Sequence, residues 1–201
     1  MIKRSSLKFI NLLLNKNKNW NILDIGCGYT ANDNANVLCD VIDLQKNYPN
    51  KKFVKLDSKN LPFGDKEFDF VIASHVIEHT EDPEFFIKEL QRISTKGYIE
   101  VPTILEDNLV FENKNDHLWH IDFDDDEQKL NINKKVQIFD PILTVSSSQK
   151  FRSLFRSSLV IELYWEDKID YNFKNESNLK PKSISISSLF RKFISKKLRN
   201  I

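Results

Sequence analysis

Four glycines and two cysteines are all that this chain of 201 residues has of either, and each shortage narrows what the chain can be. Two cysteines are too few for a disulfide framework, and Cys27 and Cys39 form no C-x-x-C pair, so a reducing, cytoplasmic setting fits best. Long apolar runs are missing too: nothing approaches the roughly eighteen consecutive apolar residues that span a bilayer. The opening MIKRSSLKFINLLLNKNKNW imitates a signal peptide, but its apolar run is short, broken by Asn11 and followed by Lys and Asn instead of a small-residue cleavage site. Leu7 to Leu14 reads as an amphipathic helix. No G-K-[ST] follows a glycine-rich turn, which excludes a P-loop, and there are no internal repeats.

Net charge is also nearly absent, at +1, but it is unevenly spread. Met1 to Trp20 and Pro181 to Ile201 carry five and six basic residues with no acidic ones, which leaves the middle of the chain at about −10. An acidic body gives no reason to expect nucleic-acid binding, whereas the basic ends suit a solvated or anion-facing role. What is plentiful is core material: 40% hydrophobic residues and fifteen Phe, enough for one ordinary domain.

Three short apolar segments, NILDI, FDFVIAS and GYIEVP, read as buried parallel strands, and NVLCDVID as a shorter fourth. Between the second and third lies EDPEFFIKELQRIS, where Asp82 suits a helix cap, Pro83 the first helical position, and Phe86, Ile87, Leu90 and Ile93 recur at helical spacing. Strands alternating with helices imply a parallel sheet with right-handed crossovers. After Pro102 the pattern changes. Glu106 to Glu127 is strongly acidic, DFDDDEQ suits a solvated turn, and KLNINKKVQIF and LVIELYWEDKIDYNF alternate like antiparallel strands, the latter turning at Glu166 to Lys168. Asn175 to Ser188 is polar and linker-like. SLFRKFISKKLRNI places Leu189, Phe190, Phe193, Ile194 and Leu198 on one helical face among basic residues, which suits packing, a partner or an anionic membrane surface. The expected organisation is residues 1–20 as a basic amphipathic helix, 21–174 as the main domain, and 175–201 as linker and basic helix.

ILDIGCGYTAND puts two of the four glycines directly behind a strand. Gly26 and Gly28 lack the Cβ that would hinder a sharp turn or crowd a ligand at the carboxyl end of the sheet. A dinucleotide turn of the G-x-G-x-x-G kind wants a third glycine where Ala31 stands, which disfavours a nicotinamide-dependent oxidoreductase. With LDSKNLPFGDKEFDFVIASHVIEHTEDP added, the stretch from Ile22 to Pro102 resembles the class I S-adenosylmethionine-dependent methyltransferases, of the type 11 kind. The resemblance implies an α/β, Rossmann-like methyltransferase sheet, mostly parallel with antiparallel C-terminal strands, and S-adenosylmethionine as cofactor. One departure is plain. Only eleven residues separate Ile25 from Val37, polar and rich in Asn and Asp, so the usual first helix is expected to be missing or reduced to a turn. Thr30 also stands where many members have a further glycine.

Carried over residue by residue, the resemblance implies that Asp24, Gly26 and Gly28 line the methionine end of the cofactor. Asp40, or else Asp43, would grip the ribose hydroxyls, since a carboxylate accepts two hydrogen bonds at once. Asp57 would accept from the adenine amino group, and Ser74 and His75 would face the reacting methyl. Cys27 reads as a small buried residue. The four histidines fall in two pairs, His75/His79 and His117/His120, at spacings that share a helical face. A metal site there is conceivable but not expected, because E-H after the fourth strand occurs in this family without metal. His79 and His117 are the candidate general bases, with pocket-edge hydrogen bonding as the plain alternative. The expected reaction is methyl transfer to an oxygen or nitrogen of a small molecule, with a sugar or glycan precursor as the most concrete acceptor. The alternative is a catalytically silent methyltransferase-like scaffold acting through the basic ends.

Overall fold

The computed structural model describes residues 1–57, 60–177, 179 and 186–199. In chain order the elements are β1 (Ile2–Arg4), α1 (Leu7–Lys16), β2 (Ile22–Ile25), β3 (Val37–Asp40), β4 (Lys52–Lys55), β5 (Phe70–Ser74), α2 (Pro83–Ile93), β6 (Lys96–Pro102), α3 (Ile104–Leu109), α4 (Asn113–Asp116), β7 (Trp119–Asp124), β8 (Lys129–Lys134), α5 (Val145–Leu159), β9 (Val160–Glu166), β10 (Tyr171–Lys174) and α6 (Ile186–Arg199). The main sheet runs β1-β9-β6-β5-β2-β3-β4. Its five strands from β6 to β4 are parallel, and β9 lies antiparallel to both β6 and β1. The sheet is therefore mostly parallel, as expected. Chain order reverses between β2 and β5, and the loops after β2, β3, β5 and β6 all open at the carboxyl edge, where ligands of such sheets sit.

One face of the sheet (Leu23, Ile25, Val71, Ala73, Ile99, Val101) packs on Ile87, Leu90 and Ile93 of α2 and on a second sheet of order β10-β8-β7. Asp82 caps α2 by accepting from the Phe85 N–H at 2.9 Å, with Pro83 in the first turn. The opposite face (Ile22, Leu38, Phe70, Ile72, Tyr98) is covered by Ile10 and Leu14 of α1. The first twenty residues are built into this sheet: β1 extends it through Ile2↔Trp165, and α1 supplies a core layer through Ile10 and Leu14. Truncating Leu14 to Ala would cost about 2–5 kcal/mol at such a site.

The first crossover has no helix between Ile25 and Val37. Side chains from elsewhere hold it. Lys51 Nζ donates to the carbonyls of Asn32, Asp33 and Ala35 at 2.9–3.0 Å, Tyr48 Oη donates to the Gly28 carbonyl at 2.8 Å, and Asp24 Oδ2 accepts from the Asn32 N–H at 2.8 Å. These bonds satisfy backbone groups that a helix would have paired internally.

Past Pro102, the expected turn at Glu166 to Lys168 is present, with Asp167 at φ +62, but it does not close a hairpin. β9 joins the main sheet and β10 leaves it to pair in parallel with β8. Trp165 of β9 and Trp119 of β7 are buried in the same core, and Phe173 of β10 packs edge-on against Trp119, which holds β10 beside the second sheet. The acidic segment also holds more structure than its composition suggests, since α3, α4 and β7 lie in it. At the C-terminal end α6 forms as expected, with Phe190, Phe193 and Leu198 more than 60% exposed. Residues 178 and 180–185 of the linker reading, and the Leu189 side chain, lie outside the described residues. Among the described residues no helix is long and apolar enough to cross a membrane.

Candidate active site

Two cavities of about 810 and 790 Å³ open at the carboxyl edge of the sheet, and Gly26, His75 and His79 line both. The smaller is mostly apolar, walled by Ile42, Leu56, Leu61, Val76 and Phe86, with the carboxylates of Asp40 and Asp57 at its rim. The larger is polar, with Asp24, Gly28, Ser74, Glu100, His117 and Arg152 among its walls.

The glycine turn is backbone-determined. Gly26 sits at φ +63, and a Cβ there would come within 2.5 Å of Val76 Cγ2; Gly28, at φ +50, has open space where a Cβ would project. The Gly26 N–H donates to the Cys39 carbonyl at 2.8 Å and the Gly28 N–H to Asp40 Oδ2 at 2.9 Å, tying the turn to β3. Asp40 Oδ1 also accepts from the Ile42 N–H at 3.0 Å, so each of its oxygens keeps one lone pair for a ligand. Asp24 is buried, and burial pushes its carboxyl up to about 6. Burial likewise pushes the Cys27 thiol up to about 12, which leaves it unreactive.

His75 follows β5 in the left-handed region at φ +54, an uncommon conformation for a non-glycine residue. Its Nδ1 lies 3.2 Å from Glu78 Oε1 and its Nε2 3.2 Å from Glu100 Oε1. Burial pulls this imidazole down, but the bonds to Glu100 and Glu78 outweigh it and hold the group up to about 9, in the charged form. Burial pushes the Glu100 carboxyl up, but the bond to and charge of His75, the Tyr98 hydroxyl and the Arg156 cation together outweigh it and hold the group down to about 2. Arg152 Nη1 stands 3.0 Å from the same Nε2 while its Nε bonds Glu106 at 2.5 Å, and Arg156 joins Glu100 to Glu162.

The second histidine pair arrives from β7. The Leu118 N–H donates to the Glu78 carbonyl at 2.8 Å and Trp119 Nε1 to the Thr80 carbonyl at 2.7 Å, which docks the start of β7 on the turn after β5. His117 is thereby brought edge-on to His79, with ring centroids 4.5 Å apart. His117 Nδ1 lies 2.6 Å from Asp107 Oδ1, and His79 Nδ1 donates to the Asp116 carbonyl at 3.0 Å. Burial lowers the His79 imidazole below its usual range. His120 points away from the cavities, toward Asp107 Oδ2 at 3.1 Å.

Of the residues singled out in the sequence, Asp24, Gly26, Gly28, Asp40, Asp57, Ser74, His75, His79 and His117 line the two cavities. Asp43 does not; it is exposed and accepts from the Gln45 N–H. Asp57 stands at the rim, paired with Lys55 at 3.1 Å. Sequence reasoning missed Glu78, Glu100, Asp107, Arg152 and Arg156. For the two arginines a signal existed, because Thr144 and Ser147 form a capping box at the start of α5 and Arg152 and Arg156 are four residues apart on it.

Residues 23–99 match a family described as "Methyltransferase domain". A 41-residue stretch is 42% identical to an ajmaline N-methyltransferase of Rauvolfia serpentina, covering 20% of this chain and 14% of that protein. The fold is similar to that of the PH0226 protein of Pyrococcus horikoshii OT3, at 17% identity over 81% of this chain and 89% of that one, with a TM-score of 0.46. It is also similar to an S-adenosylmethionine-dependent methyltransferase of Thermotoga maritima, at 14% identity over 74% and 83%, with a TM-score of 0.42.

Proposed function

Since the chain carries a class I S-adenosylmethionine-dependent methyltransferase domain, we propose that it moves a methyl group from that cofactor to an oxygen, or a nitrogen, of a small polar molecule. A sugar or glycan precursor is the acceptor class we favour. The observation that carries the reading is the meeting of an apolar and a polar cavity at Gly26, His75 and His79. An adenosine needs apolar walls with a carboxylate for its ribose, and a hydroxylated acceptor needs a polar chamber beside the reacting carbon.

The residues fit the cofactor. The open space at the Gly28 Cβ position leaves the backbone approachable, Asp40 would hold the ribose with its spare lone pairs, and Asp57 at the rim would meet the adenine. Asp24 would face the cationic methionine end. When bound, S-adenosylmethionine supplies a methyl carbon made electrophilic by its sulfonium sulfur. The chain's own part is mainly alignment, because in-line displacement depends on holding nucleophile and carbon in register. His75, fixed by two carboxylates, forms the wall between the cavities. The acceptor's proton is drawn off at the His79 and His117 pair, whose Nδ1 atoms are tied back to Asp116 and Asp107 so that Nε2 is the free nitrogen.

Incubation with methyl-labelled cofactor and a panel of monosaccharides, nucleotide sugars and small amines tests this. Label transfer to a hydroxylated acceptor, lost in Asp40→Ala, is the expected result. Transfer to none of the panel by a protein that binds cofactor would remove the favoured acceptor class. Transfer to amines alone would move the reaction to nitrogen.

A further inference from the structure

We propose that Glu78, His79 and His117 form a binding site for one divalent metal ion of the zinc or manganese type. One ligand atom from each of the three lies within 4.8 Å of the other two. The second observation is an orphan: Glu78 is fully buried, and among the described residues its Oε2 has no hydrogen-bond partner. A buried carboxylate oxygen left without a partner is costly, and a cation at the centre of the cluster satisfies it.

The outer atoms of all three side chains are already engaged. Glu78 Oε1 lies 3.2 Å from His75 Nδ1, His79 Nδ1 is 3.0 Å from the Asp116 carbonyl, and His117 Nδ1 is 2.6 Å from Asp107 Oδ1. A carbonyl and a carboxylate both take the Nδ1 proton, which leaves Nε2 of each histidine as a bare lone pair. Metal-binding histidines and carboxylates are held in this way, by outer partners that fix tautomer and orientation. Two imidazoles and one carboxylate form a ligand set suited to zinc, and three protein ligands leave positions open, as in sites that handle substrate. Those positions face solvent, because His79 lines both cavities and His117 the polar one.

The use of such an ion rests on the methyltransferase reading; the site itself does not. An acceptor hydroxyl on an open position would be more acidic, since coordination lowers the pKa of bound oxygen. Its proton leaves to water, the oxygen forms a bond to the methyl carbon, and the carbon–sulfur bond breaks with its electron pair kept by sulfur. With the ion bound, His79 and His117 serve as its ligands and give up the proton-accepting role of the metal-free pair, and acceptors bearing hydroxyls are favoured over amines.

The test uses the full chain stripped with a chelator, titrated with Zn²⁺ by calorimetry and with Co²⁺ by visible absorption, in wild type, His79→Ala and Glu78→Gln. Thermal melts verify folding; His79 is exposed, so its variant is expected to fold even where the buried Glu78 change does not. The expected result is one Zn²⁺ per chain at micromolar or tighter affinity, a Co²⁺ visible band, and at least a tenfold loss in each folded variant. No binding to the stripped wild type, or unchanged binding in either folded variant, overturns the site. Parallel titration of the stripped protein with S-adenosylmethionine separates the two ideas, because cofactor binding without metal binding overturns the metal site alone.

Discussion

Asp24→Asn is expected to give a protein that is more stable at alkaline pH and binds cofactor less well. Asp24 has 5% of its surface exposed, its carboxylate accepts the Asn32 N–H, and burial lifts its carboxyl from 3.8 to about 6. A carboxyl whose folded pKa is raised binds a proton in the folded state that the unfolded chain has already lost. That contribution to stability is complete below about pH 4 and is lost as pH rises through about 6. About two pKa units correspond to about 3 kcal/mol against the ionised wild type at pH 8, and about half of that at pH 5. Asn keeps the shape and the acceptor for the Asn32 N–H but cannot ionise. Urea unfolding of both proteins at pH 8, 6 and 5 should show the variant ahead by up to about 3 kcal/mol, with the gap shrinking as pH falls. A gap that ignores pH, or a variant less stable at pH 8, would refute the claim that burial of this carboxylate is uncompensated. The same substitution should weaken S-adenosylmethionine binding at pH 8 by at least about tenfold, because an anion facing the cationic methionine end is lost.

Other expectations follow from single contacts. Gly97→Ala would set a Cβ 2.4 Å from the Val71 carbonyl oxygen and 2.7 Å from Trp165 Nε1, neither of which can yield, so a loss of about 3 kcal/mol or more in urea unfolding is expected. Arg156→Met strips the cation from Glu100, Glu162 and the hydroxyl of Tyr98 that bonds both; about 2 kcal/mol should be lost at pH 7, and the gap to wild type should close only as pH falls toward about 2, where Glu100 takes up a proton in the folded wild type. Wild-type affinity for cofactor should fall as pH drops through about 6, where Asp24 takes up a proton, and this pH dependence should vanish in Asp24→Asn. Asp43→Ala, outside both cavities, should bind cofactor within about twofold of wild type by calorimetry.

What the sequence showed and what it hid divide along a physical line. The four parallel strands named from sequence and α2 rest on local signals: short apolar runs, the Asp82 cap, Pro83 and the 3.6-residue recurrence of Phe86, Ile87, Leu90 and Ile93. The missing first helix was also legible, because eleven residues that include the polar stretch YTANDNAN leave no room for one. Non-local pairing was not. That Ile2 adds an edge strand to β9, and that β10 leaves β9 for β8, depends on which distant side chains pack together. At the site, Gly26, Gly28 and Asp40 are adjacent to a strand end and could be located from the chain alone. Glu100, Asp107 and Arg152 reach the histidines, and Arg156 reaches Glu100, only through the fold, and nothing in the sequence marks His75 for a left-handed backbone.

The central claim is that the cofactor site survives the loss of the first helix. Calorimetric titration of the purified protein with S-adenosylmethionine and with S-adenosylhomocysteine tests it most directly, alongside Asp40→Ala and Asp57→Ala. The account predicts micromolar binding of both ligands, at least tenfold weaker in Asp40→Ala and about threefold to tenfold weaker in Asp57→Ala, whose carboxylate is exposed at the rim. No heat of binding for either ligand in a folded wild-type protein would contradict it and leave the scaffold reading in its place.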